Sequence, residues 1–472
     1  MGFYLLLTFI VSSYAIAKGS SDSAGALPEE VRQLLKKHKI PNKNLSVSVK
    51  ELSSGKSLIS HNIDVSRNPA STMKLLTTYA ALKTLKPNYS WKTEAWIRGS
   101  IKSGVLKGDL ILKGYGDPFL IHEKYWKFVQ GIRDRGLKKI TGNIIIDNSY
   151  FDIPKTDPGK FDNRPFRTYN AIPSALMYNF QATRLLFRPD KEEKRIDIIP
   201  YPWIPEYSYT NRVKYSSKRC ARKHHRPTIS RTKNKVIIAG SYSAQCGQQY
   251  ILRAISEADE HAYNGFRDFW RGMGGELTGT LKKGKVTQSD KRFHTYYSDS
   301  LGDQIRVINK WSNNVMTRQL LLTLGAKKYG APGTLEKGRT AILDVLEENN
   351  IDHQGIIIDN GSGLSRIARI TTRQHMQLLQ KAWNDPFMPE FMSSLALSGL
   401  DGTMVKRFRK GDQRGRSHMK TGTLRNSKAI AGYMLTRKGK WLAVVIHHNG
   451  PKIGGGRGSR IQDAMLRWSF EK

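Results

Sequence analysis

The chain has 472 residues, too many for one compact core, and suggests two or three domains. Hydrophobic residues make up 39%, with 9 Trp, 20 Tyr and 16 Phe, which excludes wholesale disorder. The net charge of +39 favours polyanionic surroundings, but the chain carries no nucleic-acid-binding module. The excess is clustered in patches such as Lys218-Arg219, Arg222-Lys223 and the run Lys406-Arg407-Phe408-Arg409-Lys410. Anionic wall polymer or lipid headgroups are therefore expected partners, and nucleic acid is not.

At the N-terminus, Phe3 to Ile16 is uncharged and mostly apolar, and Ala15-Ile16-Ala17 gives a small-x-small cleavage pattern before Lys18. The run is shorter than the roughly 20 apolar residues a spanning helix needs. Residues 1–17 read as a signal peptide and the rest as an exported, periplasmic protein. Residues 27–40 predict an amphipathic helix, residues 44–52 alternate as a strand, and "SLISHNI" returns as a second strand.

Pro69 then announces a helix that opens with Ser71-Thr72-Met73-Lys74. Met73, Leu75, Leu76, Tyr79, Ala80 and Leu82 make it apolar on most of its circumference, so it belongs in a core. From about 92 to 292 short strand-like runs alternate with polar turns, as in "GDLILKG", "RIDIIPYPW" and "NKVIIAGSY". Helical texture resumes near 293, with Ser312-Asn313-Asn314 in a helix-connecting stretch. Lys420-Thr421-Gly422-Thr423 enters the penultimate strand, and a strand, turn, strand and helix close the chain. The glycine-rich run 454–458 lacks the strand and helix of a phosphate cradle and reads as a loop.

Cys220 and Cys246 are the two cysteines, and in an exported chain they predict one disulfide. No four-ligand zinc pattern is present, and the adjacent pairs His224-His225 and His447-His448 point in different directions on a regular element, so no metal or other cofactor is expected.

Ser-x-x-Lys occurs five times, at Ser53, Ser71, Ser230, Ser417 and Ser469, so context must choose among them. At Ser71 the spacing of three places serine and lysine on one helical face, where Lys74 can reach the hydroxyl. Serine needs a base, and lysine becomes one near neutrality only if its pKa falls by about 3 units. Burial under an apolar helix and a neighbouring cation, Lys420, both push that way. Ser312 would relay a proton to the leaving amine, and Asn314 would hold a substrate amide or position Lys74. Gly422 lets substrate backbone lie along the edge strand, and Thr423 N–H with Ser71 N–H would form an oxyanion hole. Lys420 and Thr421 suit a substrate carboxylate.

Ser-x-x-Lys, Ser-x-Asn and Lys-Thr-Gly in this order form a known catalytic trio. With about 237 residues between Lys74 and Ser312, the chain resembles the class C low-molecular-mass penicillin-binding proteins, which are D-alanyl-D-alanine carboxypeptidases and endopeptidases. "GDLILKGYGDPFL" (108–120), "GNIIIDNSYFD", "NAIPSALMYNF", "IDNGSGLSR" (358–366) and "LALSGLDGTMVKRF" are similar to segments of that family. The resemblance implies an α/β (α+β) fold, in which a transpeptidase-like sheet flanked by helices carries nested β-rich insertions. Domain I would comprise 18–93 and 293–472, domain II 94–115 and 176–292, and domain III 116–175. It implies an acyl-Ser71 intermediate on peptidoglycan stem peptides, trapped by β-lactams, with Arg366 and Asp162 near the far end of the substrate side chain. A serine β-lactamase and a non-catalytic polyanion-binding protein are the alternatives.

Overall fold

The computed structural model describes residues 25–221 and 227–472. The signal-peptide segment and the His224-His225 pair lie outside the described residues. The first body is built on a six-stranded antiparallel sheet. Its order is Ala396–Leu397, Ser417–Leu424, Ser427–Leu435, Trp441–Asn449, Leu45–Glu51 and Ser57–His61. A strand from the start of the chain thus pairs with one near its end, Val47 opposite Ile446 and Val49 opposite Val444.

Strand alternation decides which side chains face which layer. Leu442, Val444 and Ile446 join Val47 and Val49 on one face, covered by helices Glu29–Lys37 and Arg457–Phe470. Ala443 and Val445 face the other layer, where helices Lys74–Leu85, Leu301–Trp311, Asn314–Tyr329, Leu335–Glu348 and Thr372–Trp383 share one apolar core. Helix Lys74–Leu85 is buried from Lys74 through Leu82, as its all-round apolarity requires.

The chain leaves this body at Trp91 and returns at Ser298, where Ser298 N–H donates to Trp91 O at 2.8 Å. Between them a seven-stranded sheet joins Lys92–Lys102, Val105–Gly114, Lys139–Ile140, Ile144–Asp147, Glu276–Leu277, Leu281–Lys283 and Lys291–Tyr297. Helices His122–Asp134 and Ala258–Gly272 cover it with Phe128, Val129, Phe266 and Trp270. Residues 183–253 form two further three-stranded sheets around Leu185, Phe187, Val236 and Tyr242, tied by a Cys220–Cys246 disulfide.

The nesting therefore falls elsewhere than expected from sequence. Residues 116–175 make no unit of their own, because the apolar stripe of helix His122–Asp134 can be buried only on the sheet beside it. The innermost unit is 183–253. Lys420 also sits later in its element than expected: it lies inside strand Ser417–Leu424, two strands before the last.

Candidate active site

Ser71 lies on a tight turn, Ala70–Met73, that runs directly into helix Lys74–Leu85. Ala70 has φ 47°, a left-handed conformation that costs an alanine about 1 kcal/mol or more and must be held by its surroundings. Asn68 Oδ1 accepts from Ala70 N–H at 2.9 Å, and Thr72 Oγ1 donates to Pro69 O at 2.8 Å. Gly363 lies so close that an added Cβ would fall 1.8 Å from Ala70 O.

Lys74 is fully buried, and its Nζ has three neighbours. Asn314 Oδ1 is at 2.7 Å, Ser362 O at 2.5 Å and Ser71 Oγ at 3.3 Å. Burial first, then the charges of Lys420 and Arg318, hold the amine well below the usual lysine range. A neutral amine has two N–H bonds and one lone pair. The two carbonyl oxygens can only accept, so in that form they would take both N–H bonds and leave the lone pair for the Ser71 hydroxyl.

Ser312 ends helix Leu301–Trp311 in the left-handed conformation, φ 58° and ψ 41°. Asn313 is spent on structure, its side chain capping the next helix by accepting from Met316 N–H at 3.1 Å. The outer two residues of the triplet serve the cleft: Asn314 Oδ1 meets Lys74, and Ser312 Oγ accepts from Lys420 Nζ at 2.9 Å. Lys420 donates also to Thr421 O at 2.9 Å. As an ammonium it keeps a third N–H uncommitted. Burial pushes its pKa down to about 7.

Beyond Ala396–Leu397 the partner strand stops, so Thr421 to Thr423 lie on an open edge. Gly422 runs against the Ser71 turn: a Cβ there would fall 2.9 Å from Ser71 N and 2.7 Å from Pro69 O. That approach brings Thr423 beside Ser71. Thr421 Oγ1 donates to Thr403 Oγ1 at 2.8 Å, and Thr423 Oγ1 accepts from Lys428 Nζ at 3.0 Å.

A cleft of about 1080 Å³ opens from this cluster and is lined by Ser312, Asn314, Thr423, Arg366, Asp162 and Trp311, among others. Arg366 and Asp162 thus share the cleft but stand apart from the serine–lysine cluster. The Arg366 guanidinium lies 4.3 Å from the Phe161 ring centroid, and Asp162 accepts from Tyr169 OH at 2.7 Å and Asn170 Nδ2 at 2.8 Å. Cys220 and Cys246 are joined in the innermost unit and do not line the cleft.

Two participants were not read from sequence. Arg318 is half-buried four residues after Asn314 on the same helix, donates to Tyr169 O at 2.5 Å, and adds a positive charge near Lys74. The i, i+4 spacing from Asn314 was the available signal. Ser362 contributes its backbone carbonyl, which no side-chain pattern can announce. Among the described residues no group of three or more His, Cys, Asp or Glu could hold a metal ion. His447 and His448 are buried on opposite faces of strand Trp441–Asn449.

The sequence and fold have clear relatives. The chain is 25% identical over 466 residues to a D-alanyl-D-alanine carboxypeptidase of Actinomadura sp. (strain R39), covering 95% of this chain and 86% of that one. It is 23% identical over 422 residues to the D-alanyl-D-alanine carboxypeptidase DacB of Haemophilus influenzae, covering 87% of this chain and 86% of that one. The crystal structure of penicillin binding protein 4 (dacB) from Haemophilus influenzae superposes with a TM-score of 0.80 at 21% identity, over 94% of this chain and 99% of that one. The profile of the D-Ala-D-Ala carboxypeptidase 3 (S13) family matches residues 27–472, nearly the whole described chain, and the protein belongs to that family.

Proposed function

We propose that the protein is a serine-type D-alanyl-D-alanine carboxypeptidase and D,D-endopeptidase that cleaves peptidoglycan stem peptides through an acyl-Ser71 intermediate. The observation that carries this reading is the buried Lys74 amine, which stands 3.3 Å from Ser71 Oγ with Asn314 Oδ1 and Ser362 O as its other partners. Ser71 Oγ attacks the carbonyl carbon of the penultimate D-alanine as Lys74 takes its proton. The oxyanion is met by Ser71 N–H and Thr423 N–H, each donor worth about 3–4 kcal/mol in such sites. Ser312 passes a proton to the departing amine, fed by Lys420, whose remaining N–H and Thr421 hold the terminal carboxylate. The proton taken up by Lys74 passes on to the Ser312–Lys420 pair, replacing the one given to the amine. Water then attacks the acyl-serine with Lys74 again as base, and the proton taken from water returns to Ser71 Oγ. Arg366 and Asp162 meet the remote end of the stem-peptide side chain.

Incubation with monomeric and cross-linked muropeptides, followed by separation of products, tests the reading. Release of D-alanine and cleavage of cross-links are expected, both lost in Ser71→Ala together with labelling by a fluorescent penicillin. Rapid turnover of the penicillin would favour a β-lactamase, and unchanged wall-peptide processing by Ser71→Ala would overturn the site.

The Cys220–Cys246 disulfide supports export to an oxidising compartment. In the innermost unit Arg212, Lys214, Lys218 and Arg219 are exposed, while the unit's ion pairs engage Arg188, Arg195 and Arg231. That face suits anionic wall polymer, and co-sedimentation with such polymer that persists unchanged in high salt would refute the assignment.

A further inference from the structure

Beneath the nucleophile turn lies a second hydrogen-bonded chain that the mechanism above does not use. His375, on helix Thr372–Trp383, and His447, on strand Trp441–Asn449, are both wholly buried. His375 Nε2 lies 3.2 Å from Thr72 O, the carbonyl of the residue after Ser71. His375 Nδ1 lies 3.0 Å from His447 Nε2, with the rings near perpendicular at 78°. His447 Nδ1 has no partner among the described residues.

The chemistry of the acceptor fixes every proton in this chain. A carbonyl oxygen can only accept, so His375 Nε2 carries hydrogen. Burial disfavours the charged form of both rings, so His375 is neutral and its Nδ1 is a bare acceptor. His447 Nε2 must then donate, and the orphan His447 Nδ1 is a lone pair and not a stranded N–H. The chain therefore runs one way, from strand to helix to turn.

We propose that His375 is a positioning residue for the nucleophile, its orientation set by His447. Resting on the reading of Ser71 as nucleophile, this assigns His375 the task of holding the Thr72 carbonyl and so the aim of Ser71 Oγ at the Lys74 lone pair. The turn needs such an anchor, because its Ala70 is left-handed without being glycine. The contact comes from the sheet-side helix, an element distinct from those carrying Lys74, Ser312 and Lys420.

The test compares His375→Phe, which keeps ring volume without an N–H, with His375→Gln, which keeps a donor. Kinetics use a D-Ala-D-Ala-terminated peptide, and thermal melting checks folding. His375→Phe is expected to lower kcat at least 10-fold with KM changed less than 3-fold, and His375→Gln to recover most of that loss. A folded His375→Phe with kcat within 2-fold of the parent overturns the proposal, as does a His375→Gln as impaired as His375→Phe. If His375→Phe does not fold, histidine-selective ¹⁵N spectra of the parent protein decide. The Nε2–H form at both His375 and His447 is expected, and an Nδ1–H form at His375 refutes the assignment. Full hydrolysis by Ser71→Ala would sink the nucleophile itself, a result none of these outcomes can imitate.

Discussion

Replacing Lys74 with methionine separates what the lysine does for chemistry from what it does to stability. The activity expectation is simple: a lost general base removes about 10³-fold or more from kcat/KM. Stability is more informative. In the unfolded chain the lysine titrates near 10.4, so an amine held neutral at pH 7, as the proposed base requires, would cost the fold roughly 4–5 kcal/mol. Methionine removes that cost and fills nearly the same volume. It also strips the donors from Asn314 Oδ1 and Ser362 O, two acceptors buried around Nζ, at about 1–3 kcal/mol each. At pH 7 the two effects nearly cancel, so one stability measurement decides nothing.

The pH dependence decides. Because the folded-state pKa of Lys74 is depressed, the unfolded state binds one more proton below the unfolded value. The parent protein therefore gains stability as pH rises, by about 1.4 kcal/mol per pH unit from this group, and the methionine variant does not. Lys420 titrates in both proteins near the low end of this window, and because its charge is one cause of the Lys74 shift, the difference reads Lys74 together with its coupling to Lys420. Urea unfolding at pH 7 and pH 9, followed by tryptophan fluorescence, should show the parent gaining about 2.7 kcal/mol relative to Lys74→Met. An unchanged difference between the two pH values would mean that Lys74 is charged in the fold, and the base assignment would fall.

Lys420 sets a further pH limit: kcat/KM of the free enzyme should decline as pH rises through about 7, where its ammonium is lost, and Lys420→Gln should abolish that limb while lowering activity. Gly422→Ala pushes a methyl to 2.7 Å from Pro69 O and 2.9 Å from Ser71 N, so penicillin acylation should slow about 100-fold or more with the protein still folded. Near-parental acylation in that variant would show that the strand edge need not abut the Ser71 turn. Cys220→Ser combined with Cys246→Ser opens a loop spanning a separation of 26 residues and should destabilise the innermost unit by about 3 kcal/mol, read as an earlier unfolding transition. The same double variant should keep kcat/KM for a small peptide within 2-fold, since neither cysteine lines the cleft.

Local patterns carried much of this protein. The all-round apolarity after Lys74 announced a buried helix, the alternation of Leu45 to Val49 announced a strand, and each of the Ser71, Ser312 and Lys420 motifs was a short pattern visible within its own stretch of chain. Those features are legible because side-chain periodicity and local spacing are properties of a single element. The nesting of the insertions was not legible: helix His122–Asp134 looks the same in sequence whether it covers its own small sheet or strands that return at 276–297. Ser362 O, the Arg318 guanidinium and the His447–His375–Thr72 chain were equally hidden, since each meets the site across a gap of hundreds of residues or through a backbone atom. Sequence named the serine, the lysine and the second cation, but only tertiary packing could dry Lys74 and bring Ser71, Asn314 and Ser362 around its amine, because desolvation and hydrogen-bond partners belong to the assembled core and not to any stretch of chain.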